Sequence, residues 1–141
     1  MKIVVGVDGS DNARRALRWA VDEARVHHAT VQIVHAWHVQ YASGYPFAAV
    51  PYEPELYEKL AHELVEAAAA EVDATGLPAP VQPVVVQAPA ATALLAAAED
   101  ADLLVVGARG HGGFAGLLLG SVSSQVVHHA PCPVVIVPAV A

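Results

Sequence analysis

The sequence LLVVGARG spans residues 103–110, and Gly120-Ser121 follows after nine further residues. An apolar strand that leads into glycines, and then into the start of a short helix, is a pattern typical of phosphate binding. Glycines let the backbone approach an anion without a Cβ atom in the way. The unpaired N–H groups at a helix start point toward negative charge. This stretch therefore predicts a bound phosphate group.

Four other apolar runs rich in Val and Ile accompany the run at 103–106. They lie at residues 3–7, 31–34, 81–86 and 134–137. Most of these runs are continuous rather than alternating, which favours parallel strands that are buried on both faces. The sequence therefore predicts five strands in a parallel sheet covered by helices.

Segments with helical periodicity separate the predicted strands. The first covers residues 13–24, with Ser10 or Asp11 as its N-cap. The second is an apolar stripe that ends near residues 76–78 and consists of Leu56, Leu60, Leu64, Ala68 and Val72. A third covers residues 91–98, and a fourth covers residues 122–130 and stops at Pro131. The alternation predicts an α/β fold, an open doubly wound sheet, as a single domain over residues 1–141.

Composition and charge exclude several classes of partner. The chain has a formal net charge of −7 and no basic run, which argues against nucleic acid and anionic membrane surfaces. The single cysteine, Cys132, favours a reducing compartment. The N-terminal apolar stretch is too short for a signal peptide, and no run of about 18 apolar residues is present. We expect a soluble cytoplasmic protein.

The predicted fold also indicates where a ligand binds. In open α/β sheets, ligands lie beyond the carboxyl ends of the strands, where the chain reverses its winding direction. Asp8 follows the first strand and Gly107 follows the fourth. If these two strands are neighbours, the two residues lie on opposite lips of one crevice that a nucleotide would span. Alternatively, Asp8 only caps the first helix.

The chain resembles a universal stress protein of the ATP-binding type over essentially its whole length. The resemblance rests on VDGS at 7–10, His35-Ala36, ADLLVVG at 101–107, the loop pattern G-x-x-G, nine residues, G-S/T, and PCPVVIV at 131–137. It implies the strand order 3-2-1-4-5 and ATP, with Mg²⁺, as the ligand. It also implies a homodimer through the last strand, from Cys132 to Val137.

The resemblance assigns roles to single residues. Asp8 would lie at the nucleoside end of ATP, the backbone at Ala36 would line the adenine pocket, and Gly107 and Gly110 would form the turn near ribose and phosphates. The helix start at 120–122 would receive the phosphates, with one more hydrogen bond from the Ser121 hydroxyl, which is also an N-cap in this interpretation. The complete predicted nucleotide-binding set is Val7, Asp8, Ala36, Val106, Gly107, Arg109, Gly110, Gly120, Ser121 and Val122.

Two positions depart from the family pattern. Ala88 stands where glycine is common before the third helix, which leaves the local loop geometry open. Arg109 stands where serine and histidine are also common. Its guanidinium either binds phosphate, because it is always charged and can bind bidentately, or it is a solvated loop arginine.

Other features of the chain leave alternatives. The eight histidines suggest a metal site, but the adjacent pairs at 27–28 and 128–129 diverge on a helix, so we predict no protein metal site. His111 is either a phosphate-side group or an exposed residue. The segment 38–54, with four aromatic residues and three prolines, is either an aromatic lid over the base or a partly disordered connector.

The sequence predicts that this protein binds ATP and hydrolyses it slowly or to a negligible extent. It contains no G-x-x-x-x-G-K-S/T motif, and we expect no carboxylate near the γ-phosphate. We assign no catalytic residue and, as the resemblance implies, predict a nucleotide-responsive regulator of stress adaptation and growth. One alternative is a slow ATPase or an autophosphorylating enzyme. Another is a binder of cyclic AMP or a different adenine nucleotide.

Overall fold

A computed structural model describes residues 1–38, 53–110 and 118–140 of the chain. Within these ranges, one sheet contains five parallel strands: β1 (Lys2–Gly6), β2 (Thr30–Trp37), β3 (Gln82–Gln87), β4 (Leu103–Gly107) and β5 (Val134–Val137). The helices between them are α1 (Asp11–His27), α2 (Pro54–Glu71), α3 (Ala90–Ala98) and α4 (Ser121–His129). The strand order is β3-β2-β1-β4-β5. The predicted fold class and strand order are therefore confirmed.

The sheet separates two apolar cores. Ile3 and Val5 of β1 belong to the core under α1 and α2, whereas Val4 belongs to the core under α3 and α4. All three side chains are fully buried. Because both faces of the central strands are covered, these strands consist of continuous apolar runs rather than alternating ones.

Helix α1 begins where the sequence predicts. Ser10 is its N-cap, and the Ser10 hydroxyl oxygen accepts a hydrogen bond from the backbone N–H of Ala13 at 3.2 Å. The helix ends at His28, whose left-handed backbone has a φ of 53°. This helix buries its alanine-rich stripe against β1 and β4, so its N-terminus lies next to the carboxyl ends of those strands.

The predicted apolar stripe of α2 is partly wrong. Ala61 and Val65 are its buried residues, whereas Leu56 and Leu60 are 47% and 51% exposed. A helix advances about 100° per residue, so a row of every fourth residue rotates by roughly 40° at each step. The start of the predicted row therefore points away from the sheet, and only its later members turn toward the core. The helix also ends at Glu71 rather than near 76–78.

The edge strand β5, the end of β1 and the turn at Ala88 bear on expectations from the sequence. Strand β5 lies at one edge, and among the described residues it pairs with β4 alone. Strand β1 ends at Gly6, although the Val7 N–H still donates to the Val34 carbonyl at 2.9 Å. Ala88 donates its N–H to Trp37 at 3.0 Å and has no positive φ, so a glycine is not required there.

Candidate functional site

A cavity of about 220 Å³ opens at the carboxyl ends of β1 and β4. These strands are neighbours, and the chain leaves them toward opposite faces of the sheet, to α1 and to α4. The reversal leaves a crevice at this point. All ten residues that the sequence predicts for nucleotide binding line the cavity, together with Gly6, Ala13, Val34, Ala90, Leu94 and Ser123. The structure thus brings the predicted set together, and their contact with a ligand stays a prediction.

Part of the cavity wall is apolar, and we call it the apolar end. It includes Ala36, Val34, Val106 and Leu94. At Gly6 a Cβ atom would lie 2.8 Å from Leu94 Cδ1, so a larger residue there would require the Leu94 side chain to move. An apolar wall of this kind suits a flat, largely apolar group.

The Asp8 carboxylate lies where the chain turns from β1 into α1. Its Oδ1 atom accepts a hydrogen bond from the Ser10 N–H at 2.9 Å. Since Ser10 is the N-cap of α1, the alternative in which Asp8 caps that helix is wrong. A Cβ atom at Gly110 would overlap Asp8 Oδ2, so glycine at 110 lets the loop after β4 approach the carboxylate.

The Val7 peptide is held by a histidine side chain. His35 donates a hydrogen bond from Nδ1 to the Val7 carbonyl at 2.8 Å; this direction fixes the Nδ1–H tautomer, because a carbonyl only accepts. Together with the Val7 N–H bond to β2, it anchors the peptide that precedes Asp8. The sequence drew attention to His35 only through the family resemblance and as a metal candidate. Its actual partner is 28 residues away in the chain.

Asn12 is a buried polar residue that the sequence analysis missed. It is 8% exposed, its Oδ1 accepts from the Arg109 N–H at 2.8 Å, and its Nδ2 donates to the Val137 carbonyl at 3.0 Å. A Cβ atom at Gly107 would lie 2.8 Å from Asn12 Cγ, so the glycine makes room for this amide. The available signal was its position on the buried side of α1, one turn before Ala16.

Helix α4 begins at Ser121, the residue expected to be its cap. Gly120, not Ser121, is the N-cap, and among the residues that the structure describes no side chain caps the helix. The expectation for Ser121 is therefore wrong, because Gly120 supplies the extended backbone (φ −76°, ψ 176°) and Ser121 is already helical. The buried hydroxyl is that of Ser123, which donates to the Ala108 carbonyl at 2.7 Å. The Gly120 N–H donates to the same carbonyl, also at 2.7 Å.

The loop glycines differ in what they make possible. Gly107 and Gly110 avoid collisions with Asn12 and Asp8, as described above. At Gly120, in contrast, a Cβ atom would meet Arg109 Cα at 3.5 Å and the Ala108 carbonyl oxygen at 3.6 Å, which are ordinary contacts. The protein's own packing therefore does not require glycine at 120, where an added side chain would stand at the open start of α4.

Charge is sparse around the cavity. Among the described residues that line it, Asp8 is the carboxylate and Arg109 is the cation. The described part of the chain holds no group of three or more His, Cys, Asp or Glu side chains placed to bind a metal ion. His111 lies outside the described residues, and so does most of the segment 38–54, for which lid and connector were the alternatives.

The fold and the cavity define an α/β protein with a ligand-sized crevice at the reversal point of a doubly wound sheet. The model of the universal stress protein family matches residues 1–138. The chain belongs to this family, as its motifs predicted. In the described residues, none of the helices has the length and apolar character needed to span a membrane.

Individual relatives support the same assignment. A universal stress protein of Thermus aquaticus is 42% identical over 139 residues, which cover 96% of each chain. Longer relatives exist: this chain is 36% identical to universal stress protein Rv2623 of Mycobacterium tuberculosis and spans 46% of its length.

Two similar solved structures contain nucleotides. A universal stress protein in complex with cAMP is 30% identical, with a TM-score of 0.61 and coverage of 97% of this chain and 95% of that one. A universal stress protein from Archaeoglobus fulgidus in complex with dAMP is 25% identical, with a TM-score of 0.68 and coverage of 97% of each chain.

Proposed function

We propose that this universal stress protein binds ATP, with Mg²⁺, and acts as a nucleotide-responsive regulator of stress adaptation and growth. The observation that carries the proposal is the mixed lining of the cavity, which combines the apolar residues Ala36, Val34 and Leu94 with a glycine loop and the start of α4, whose N-cap is Gly120. A nucleotide has the same division, with an aromatic base at one end and phosphates at the other.

The nucleoside occupies the apolar end in this proposal. The adenine ring lies against Ala36, Val34 and Leu94, with the backbone of β2 along its edge. The Asp8 carboxylate accepts hydrogen bonds from the ribose hydroxyls, because an ionised carboxylate only accepts. Its position is supported by the bond from the Ser10 N–H.

The phosphates occupy the opposite end, at the start of α4. The first N–H groups of a helix have no intrahelical partner, and they favour an anion together with the helix dipole. No side chain in the described part of the chain caps these groups in α4, and we assign them to the ligand. Arg109 lines the same region, and we assign its guanidinium to the phosphates rather than to solvent.

The choice of ligand rests partly on the related structures. Both carry adenine nucleotides, cAMP in one and dAMP in the other, which supports an adenine pocket here. We assign ATP because the proposed phosphate region has an open helix start and an arginine. Among the described residues that line the cavity, Asp8 is the one carboxylate. A single carboxylate does not form a protein site for a metal ion, so Mg²⁺ would enter bound to the phosphates.

Hydrolysis is slow or negligible in this proposal. Rapid phosphoryl transfer needs a positioned water molecule and groups that stabilise the transferring phosphoryl. The chain lacks a P-loop lysine, and Asp8 lies at the nucleoside end. A slow ATPase or autophosphorylating enzyme would instead show multiple-turnover phosphate release that Ser121→Ala abolishes.

The direct test is a calorimetric titration of nucleotide-free protein with ATP and Mg²⁺. ATP is expected to bind with one nucleotide per chain and to compete with AMP, while cyclic AMP competes weakly or not at all. Tighter binding of cyclic AMP than of ATP would reassign the ligand. No heat and no competition with any adenine nucleotide would refute the proposed function.

We further propose a homodimer that pairs the segment from Cys132 to Val137, which contains β5, between two copies of this single-domain chain in the cytoplasm. An edge strand presents unpaired backbone N–H and C=O groups that favour pairing with another strand, and β5 is an edge strand. Light scattering at micromolar concentration should give the mass of a dimer. A monomeric mass would contradict the assignment.

A further inference from the structure

We propose that Asn12 is a positioning residue for the phosphate end of the cavity. It holds the loop after β4 in place by joining that loop to the end of β5. This inference rests on the proposed function, because it names a residue that controls how that site holds phosphate. Asn12 itself does not line the cavity.

The amide of Asn12 connects chain segments that are far apart in sequence. Its Oδ1 accepts from the Arg109 N–H at 2.8 Å, and its Nδ2 donates to the carbonyls of Val137 at 3.0 Å and Pro138 at 3.3 Å. Both ends of the amide are therefore used. Asn is suited to this position because it carries an acceptor and donors on one short side chain.

We call the hydrogen bonds of the Asn12 amide to Arg109, Val137 and Pro138 the Asn12 bridge. This bridge affects which N–H groups of the loop can face the ligand. The Ala108 N–H donates to the Val137 carbonyl at 2.8 Å, and the Arg109 N–H donates to Asn12. Both groups are thus bonded to the protein and not to phosphate. Arg109 consequently contributes through its side chain, and the backbone donors for phosphate come from the start of α4.

The Asn12 bridge also fixes the loop, which is itself bonded to α4, relative to α1. The Ala108 carbonyl accepts from the Gly120 N–H and from Ser123 Oγ, each at 2.7 Å. The peptide from Ala108 to Arg109 is therefore bonded to α4 on one side and to Asn12 on the other. Without the Asn12 amide, the attachment to α1 is lost, and the loop, which stays bonded to α4, can shift together with the helix start relative to α1 and Asp8.

The test compares Asn12→Leu, which has nearly the same shape but no hydrogen-bonding groups, with wild type. We expect the affinity for ATP with Mg²⁺ to fall by about 10- to 100-fold, which corresponds to weakening one hydrogen bond to a charged group. Adenosine, which has no phosphate, should lose less than about threefold, because its end of the cavity does not depend on the bridge.

A second measurement follows the bridge itself in nucleotide-free protein. The Arg109 amide should exchange its hydrogen about tenfold faster in Asn12→Leu, and its NMR shift should move, because its acceptor is gone. The matched control is Val21→Ala, a substitution in the same helix that removes buried apolar contacts. Val21 is 3% exposed, so this control lowers stability without touching the bridge. If Asn12→Leu fails to fold, Asn12→Ser, whose shorter side chain does not span both partners, replaces it.

The outcomes separate this inference from the proposed function. If wild type binds no nucleotide, the proposed function fails. The exchange rate and NMR shift of the Arg109 amide then decide on their own whether Asn12 positions the loop. Unchanged exchange and shift of that amide in the variant would overturn the inference. Equal losses for ATP and adenosine, as expected for Val21→Ala, would also overturn it.

Discussion

Substituting Gly120 with valine tests whether the open start of α4 receives phosphate. The Cβ atom of the new side chain would lie 3.5 Å from Arg109 Cα and 3.6 Å from the Ala108 carbonyl oxygen. Both distances are ordinary contacts, and the backbone at 120 is extended rather than left-handed (φ −76°). The substitution therefore adds an isopropyl group at the helix start, and its Cβ atom fits without straining the backbone.

The expected loss of stability is small. Gly120 is the N-cap of α4, and replacing an acceptable cap by an aliphatic residue costs about 1 kcal/mol. In a chain of this size, such a loss lowers Tm by about 3–4 °C. The variant should remain folded at room temperature, since domains are stable by about 5–15 kcal/mol.

The expected loss of affinity is much larger. The valine side chain stands between the first N–H groups of α4 and an approaching phosphate. Hydrogen bonds to a charged group are worth about 1.5–3 kcal/mol each. Losing about 3 kcal/mol in total reduces affinity by more than 100-fold.

The assay is calorimetric titration with ATP and Mg²⁺, accompanied by thermal unfolding of the same samples. Gly120→Ala provides a graded control, because it adds one carbon and should lose less affinity than Gly120→Val for a similar change in Tm. Wild-type affinity in a folded Gly120→Val protein would refute the assignment of phosphate to this helix start. Equal losses in both variants would show that the cap, rather than side-chain bulk, determines affinity.

Three other substitutions or modifications have defined outcomes. Asp8→Ala should weaken binding of adenosine and ATP but not of inorganic triphosphate; an equal loss for ATP and triphosphate would contradict a nucleoside role. Ser123→Ala removes the 2.7 Å bond to the Ala108 carbonyl and should lower the free energy of unfolding by about 1 kcal/mol. This loss should appear as a lower denaturant midpoint, and an unchanged midpoint would argue against a stabilising bond. Burial, with a further contribution from the negative charge of Asp102, raises the pKa of the Cys132 thiol. Iodoacetamide at pH 8 should therefore modify Cys132 more slowly than a small free thiol, with a rate that rises as the pH increases, and equal rates at pH 8 would contradict this.

The fold could be predicted because its signals are local. Continuous apolar runs with helical stripes between them specify parallel strands with both faces covered, and the family motifs supply the strand order. The clustering of the predicted site residues around one cavity could be anticipated for a related reason. The predicted residues follow strand ends or open a helix, as Asp8, Gly107 and Ser121 do, and a doubly wound topology brings such positions to one edge.

The residues that the sequence analysis missed depend on contacts between distant segments. Asn12 bonds to Arg109, 97 residues away, and to Val137, 125 residues away. Its place one turn before Ala16 indicates the buried side of α1, but no local pattern indicates these two partners. The exposed leucines of α2 were misplaced for a different reason. Positions at regular fourth-residue spacing were treated as one face, although such a row winds around the helix.

The bond between the Gly120 N–H and the Ala108 carbonyl has a consequence for engineering this chain. It brings the residue that starts α4 back to within 2.7 Å of the peptide that ends β4. Each doubling in the length of a flexible connection costs only about 0.6 kcal/mol of closure entropy. Both ends of an insertion between residues 110 and 118 would therefore stay close together. A fluorescent reporter inserted there would be joined to Gly110 and to the start of α4, which line the cavity, and would report nucleotide binding under the proposed function.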